Sequence, residues 1–307
     1  MTRLLRAEIR RIASRRLVRR TMLLVAVAIA AGGILAFATT SALSDATYQQ
    51  RVRVADVQRH ARDERARACL KAHGVKEGED FSDKIANECL PNGRITASDP
   101  RFHRARLKSL LQGTSGVLAI IAWALGASMV GAEFASRSMT TLLTWETRRT
   151  RVLVTKTAVV ICAAAAFAAL ALIAVALAMM PALAAHGAPI RVDDPSIASL
   201  AGLIARGAAL AALSAGMGFA IATLGRNTAA ALGVGFAYII VLENILGSSL
   251  RQWRRWLLLG NAIVFISGKK GVDIPGRSVT GAGLLLAGVA ATLLVAAAAA
   301  FRTRDVA

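Results

Sequence analysis

Arg206 and Glu243 are the two side chains whose chemistry most needs explaining, because each interrupts an otherwise apolar run. An ionised group in such a run is costly unless it is paired, wetted or used. The two positions are related. Gly225-Arg226 reads as a tight turn joining two apolar segments into an antiparallel hairpin, with Arg206 19 residues before Gly225 and Glu243 17 after Arg226. At about 1.5 Å per residue they stand at nearly the same depth, and the expectation is that they face each other and pair. Such a pair either neutralises two costly charges or lines a path along which charges exchange partners.

No catalytic constellation accompanies them. A phosphate-cradling loop needs spaced glycines ending in Gly-Lys-Ser/Thr; Ser267-Gly268-Lys269-Lys270 lacks the upstream glycine and the hydroxyl. There is no His-Glu-x-x-His, no Gly-x-Ser-x-Gly and no paired cysteine cluster. His60, His73 and His103 are scattered without zinc-type spacing, so no metal site is read. The chain is not an enzyme by itself, and energy for any work must arrive from elsewhere.

The elements that would hold these charges are membrane helices. Of 307 residues, 55% are hydrophobic, and the mean hydropathy is +0.53, beyond ordinary soluble domains. A net charge of +20 suggests nucleic acid, but the basic residues lie mostly between apolar runs, where they set topology and meet anionic lipid. Arginine (31) far outnumbers lysine (7), the mark of a G+C-rich coding sequence. No nucleic-acid partner is read.

Six stretches are long enough to cross about 30 Å of hydrocarbon: 21–43, 113–134, 157–180, 197–223, 228–247 and 280–300. The first is a retained signal anchor, since the uncharged run Thr21–Ser44 exceeds a cleavable h-region. Before it, Leu5, Ile9, Ile12 and Ala13 recur at helical spacing among eight arginines, so 1–20 is expected to be an amphipathic interfacial helix. No proline lies inside a span, and Cys162, in the third, reads as a small buried hydrophobe.

With both termini cytoplasmic, 44–112, 181–196 and 248–279 lie outside, and 135–156, 224–227 and the tail 301–307 inside. Segment 248–279 fits this poorly, with six basic residues against Asp273 alone. Part of it, about Trp253–Ile266, is therefore expected to dip back as a re-entrant or interfacial helix, the alternative being a wholly external segment. Segment 44–112 begins as a helix and then becomes turn-rich, with too little apolar material for a core. Cys69 and Cys89 face an oxidising space there, and a disulfide between them is expected.

Segment 135–156 is polar, helical and rich in arginine, and far longer than a connecting turn requires. With Leu125-Gly126-Ala127-Ser128-Met129-Val130-Gly131-Ala132-Glu133-Phe134, Ser138–Trp145 and Arg148–Lys156, the chain resembles the permease subunit of a type-2 ABC transporter. The 44–112 insertion and Thr147, where relatives often have proline, depart from the pattern.

The resemblance implies an all-α integral membrane protein of six transmembrane helices with an N-terminal elbow helix and a cytoplasmic coupling helix. It implies a bacterial plasma-membrane exporter whose ATP and Mg are bound by a separate ABC ATPase subunit, with no cofactor on this chain. A second permease copy or paralogue completes the substrate path, and membrane lipids surround it. Met139, Leu142, Leu143 and Trp145, with Arg137, Glu146, Arg148 and Arg149 around them, would meet the ATPase. Glu133 would tie this segment to an elbow arginine such as Arg10 or Arg11. The substrate is not readable. The competing reading is a non-transporting sensor or regulatory subunit whose 44–112 module reads an external signal.

Overall fold

The computed structural model describes residues 7–8, 10–12, 14–74, 85, 88–89, 97, 99–136, 149–192, 194–246, 251–268, 274 and 276–303. Described residues are helical or irregular, without a strand. The helices are α1 (Arg16–Thr39), α2 (Asp45–Ala72), α3 (Arg104–Ala135), α4 (Arg149–Ala178), α5 (Met180–His186), α6 (Ile197–Gly225), α7 (Thr228–Ala237), α8 (Leu258–Ser267) and α9 (Val279–Thr303). Among the described residues, six helical stretches are long and apolar enough to cross a membrane: Arg16–Thr39, Arg104–Ala135, Thr150–His186, Ile197–Gly225, Thr228–Ile245 and Val279–Thr303. This is the architecture of a multi-pass helical membrane protein.

The chain divides into two compact units, one of residues 1–34, 104–180 and 190–307 and a second of 35–103 and 181–189. In the first, α6 is the central helix: 67% of its apolar stretch is buried, against 6% for α1 and for Thr228–Ile245. Its neighbours are α3, α4 and α9. Close approach follows from small residues, since a Cβ on Gly126 would strike the Ala215 backbone and one on Gly218 the Trp123 carbonyl. Without a hydrophobic drive between helices in lipid, such backbone-to-backbone packing holds a bundle together.

Capping chemistry sets the breaks. Ser196 opens α6 by accepting from the Ser199 amide at 3.2 Å. Arg226 closes it in the left-handed region at φ 52°, and Asn227 opens α7 through the Ala229 amide at 2.9 Å. The turn joining α6 to α7 therefore needs only two residues. Beyond Ala237 the helix becomes π-helical over Tyr238–Leu246, a departure from the regular fifth span expected from composition.

Other boundaries differ as well. Residues 7–8, 10–12 and 14 are helical, the helix is interrupted at Arg15, and residues 16–20 belong to α1 rather than to a separate 1–20 helix. Residues 104–112 form the first turns of α3, because nothing in the sequence stops the helix short of them. Cys162 is exposed on α4 rather than buried.

In the second unit, Phe102 is fully buried and exchanges backbone bonds with the chain around His186: its amide donates to the His186 carbonyl at 2.8 Å, and the Ala188 amide to its own at 3.1 Å. The His186 ring stacks on Phe37 at 4.8 Å and bonds the Thr40 hydroxyl at 3.1 Å. Arg101, 4% exposed, forks onto Asp99 at 2.9 Å twice, donates to Asp45 at 2.6 Å and lies 4.5 Å over the Tyr48 ring. Two parallel bonds from one guanidinium fix its plane as well as its charge. Cys69 and Cys89 are joined in a disulfide.

Candidate functional site

A cluster of five charges forms where the N-terminal residues, the end of α3 and the start of α4 converge. Glu133 sits in the last turn of α3 and Lys156 in the second turn of α4; their side chains are 7% and 5% exposed. Lys156 Nζ donates to both Glu133 carboxylate oxygens at 3.0 Å and to Glu8 Oε1 at 2.8 Å. Arg11 reaches Glu133 at 3.3 Å and Glu8 at 3.4 Å. Arg15 reaches Glu133 at 3.4 Å and donates to the Ser128 and Met129 carbonyls at 3.1 Å each. The Arg15 side chain is thus spent on α3.

Among the described residues, two carboxylates here face three cations. Removing one partner from so buried a set leaves an uncompensated charge, at a cost of about 3–5 kcal/mol. The position matters more than the energy. Residues 149–156 are the first turns of α4 rather than part of a separate 135–156 helix, and the Glu133–Lys156 contact ties the end of α3 to those turns. Arg10, named with Arg11 as a candidate, is exposed and outside the cluster. Glu8 escapes the sequence reading, though it is the lone acid among the eight arginines of residues 1–20, and that solitude is the available signal.

Arg137, Met139, Leu142, Leu143, Trp145, Glu146 and Arg148 lie outside the described residues, as does the side chain of Arg149.

Arg206 and Glu243 do not form the expected pair. Glu243 Oε1 accepts from the Leu259 amide at 2.6 Å, and the Tyr238 hydroxyl accepts from the Leu258 amide at 2.8 Å. These amides open α8, whose N-cap Leu257 has no capping side chain. The π-helical turn thus supplies what the first turn of α8 lacks. At the other end the Arg206 guanidinium lies against Gly268, the left-handed residue (φ 67°) that closes α8.

The equal-depth count assumes an unbroken α-helical hairpin. Instead the π-helical turn changes the rise and facing of Glu243, and α8 packs against α6, α3 and α9, coming between the two charges. Helix α8 falls within the Trp253–Ile266 stretch expected to re-enter and runs one residue past it. Its Asn261 is fully buried and satisfied, donating to the Leu257 and Arg255 carbonyls at 2.7 and 3.0 Å and accepting from Arg277 at 2.8 Å.

Beside the disulfide, His73 Nδ1 lies 3.8 Å from Cys89 Sγ and 4.0 Å from Cys69 Sγ, and Nε2 faces Glu88 at 3.5 Å. His73 and the two cysteines have metal-ligand geometry, but both sulfurs are committed to each other.

No family model matches this sequence, and no curated protein matches it.

Proposed function

We propose that this chain is the membrane-spanning permease subunit of an ATP-driven exporter, worked by a separate ATPase that grips segment 135–156. The observation carrying this reading is the Glu133–Lys156 contact, which ties the two roots of that segment to each other and, through Glu8, Arg11 and Arg15, to the N-terminal residues. A polar segment held this way transmits a push into α3 and α4 together instead of bending at its base. Both helices pack on α6, so displacement at the segment reaches the centre of the bundle.

The sparse burial of α1 and of Thr228–Ile245 leaves apolar surface for a second permease copy, with which the chain would enclose the path. ATP and Mg belong to the ATPase in this scheme, and the cargo is left open. In a bacterial plasma membrane, segment 135–156 and both termini would face the cytoplasm.

The test is co-purification with the ATPase encoded nearest to this chain, followed by ATP turnover in vesicles. Trp145→Ala and Leu142→Asp are expected to abolish both association and turnover while leaving the permease folded. Association that survives both substitutions, or a Trp145 reachable only from the outer face, overturns the proposal.

A further inference from the structure

A partly open apolar cavity of about 80 Å³ lies beside the five-charge cluster, bordered by the N-terminal residues, α1, α3, α4 and α6. Ile12, Met129 and Val160 line both this cavity and the small polar pocket among Glu8, Arg11, Arg15, Glu133 and Lys156. The polar and apolar spaces therefore adjoin across these three side chains. Val18, Met22, Ala164 and Phe167 form further walls, and no lining residue has a polar side chain.

The two halves have complementary needs. An apolar cavity gives water no partners, so it stays dry, and its walls lose dispersion contacts unless an apolar group fills it. Next to it, among the described residues, three cations against two carboxylates leave an excess of one positive charge (3 − 2). Arg11, 43% exposed, is the cluster's most accessible cation. Arg16, Arg19 and Arg20 are exposed within the next turn of α1. The ligand matching both halves has an apolar chain and an anionic head, joined over a few ångströms.

We infer that these adjoining pockets form a binding site for one anionic phospholipid, with part of an acyl chain seated between α1 and α4 and the phosphate against Arg11. The lipid would fill the space that the side chains of α1, α3 and α4 leave beside the cluster. It would also supply negative charge to balance the cluster's cations. This inference depends on the chain residing in a bilayer and not on what it transports.

The experiment is native mass spectrometry of the full chain in detergent, given equal phosphatidylglycerol and phosphatidylcholine. The expected result is one phosphatidylglycerol retained per chain, preferred on the order of tenfold, as a local excess of basic side chains implies. Arg11→Gln should reduce that preference several-fold without reducing total retained lipid. Ala164→Phe, which fills the cavity, should lose the bound lipid, whereas Ala166→Phe, on the exposed side of α4, should keep it.

Inorganic phosphate at millimolar concentration should not displace the lipid. Equal retention of the two lipids, displacement by phosphate, or matched behaviour of the two phenylalanine variants overturns the inference. Should Ala164→Phe fail to fold, Ala163→Val (also a cavity wall) and the wild-type competition still decide it.

Discussion

Glu243 and Arg206 stand at opposite ends of the ten-residue helix α8, the carboxylate on the Leu259 amide and the guanidinium against its closing Gly268. A helix carries partial positive charge at its N-terminus and partial negative charge at its C-terminus. Both charges therefore complement the α8 dipole, although Arg206 Nε is buried without a hydrogen-bond partner among the described residues. The consequence is a sign that direct pairing would reverse. Exchanging the charges (Arg206→Glu with Glu243→Arg) is expected to be worse than either Arg206→Gln or Glu243→Gln alone, since both ends of α8 then meet the wrong charge. Thermal unfolding of the purified chain reads this out; rescue by the exchange would restore direct pairing.

Glu133 holds the cluster together, contacting Lys156, Arg11 and Arg15. Glu133→Ala is expected to destabilise the bundle by about 3–5 kcal/mol, the usual cost of stranding a buried cation. Adding Lys156→Met should recover part of the loss, because the stranded ammonium is then gone. A double-mutant cycle on unfolding midpoints measures the coupling. Additive losses would mean that the contact contributes little.

The six spans were legible because an uncharged run long enough to cross a bilayer has few alternatives. Glu133 and Arg11 were within reach too, both through the resemblance. What the sequence hid was local backbone irregularity. Nothing in Tyr238–Leu246 announces a π-helical turn, and that turn re-aims Glu243 toward Leu259. Asn261 stays hidden for a related reason: an isolated asparagine in an apolar stretch shows neither its depth nor its partners until Arg277 and the Arg255 carbonyl are brought beside it.

Close packing of α3 on α6 gives a third prediction. A Cβ on Gly218 would meet the Trp123 carbonyl and indole, and backbone cannot retreat as a flexible side chain can. Gly218→Leu is expected to force the two helices apart and prevent a stable bundle, whereas Gly288→Leu, with open space around it, should be tolerated. Yield of monodisperse protein after detergent extraction separates the two outcomes.

The Cys69–Cys89 disulfide spans a sequence separation of 20, and closing a loop of that size stabilises by about 3 kcal/mol in the chain-entropy model. The replacement Cys69→Ser with Cys89→Ser, or a membrane-impermeant reductant, is expected to speed proteolysis after Lys71 and the arginines of α2. Unchanged cleavage would mean that the helix stands without the bridge.

Asp99 gives the second unit a pH dependence whose sign can be worked out. Hydrogen bonds from the Arg101 guanidinium, aided by the Arg101 amide, outweigh burial and hold the Asp99 carboxyl below its ordinary 3.8; the same bonds raise Arg101 further. A carboxyl lowered on folding binds fewer protons folded than unfolded, so its contribution is present in full above the ordinary value. That contribution is lost as pH falls through the lower folded value. The Phe102 amide donates to His186, and the part of its hydrogen-exchange protection that Asp99 carries should therefore be present from neutrality down to about pH 5 and fall below about pH 4. Asp99→Asn should lower protection at neutral pH and remove the part of the acid response that Asp99 causes, because the amide keeps the shape but cannot titrate. An asparagine variant whose protection falls in parallel with wild type would assign the acid sensitivity to another group.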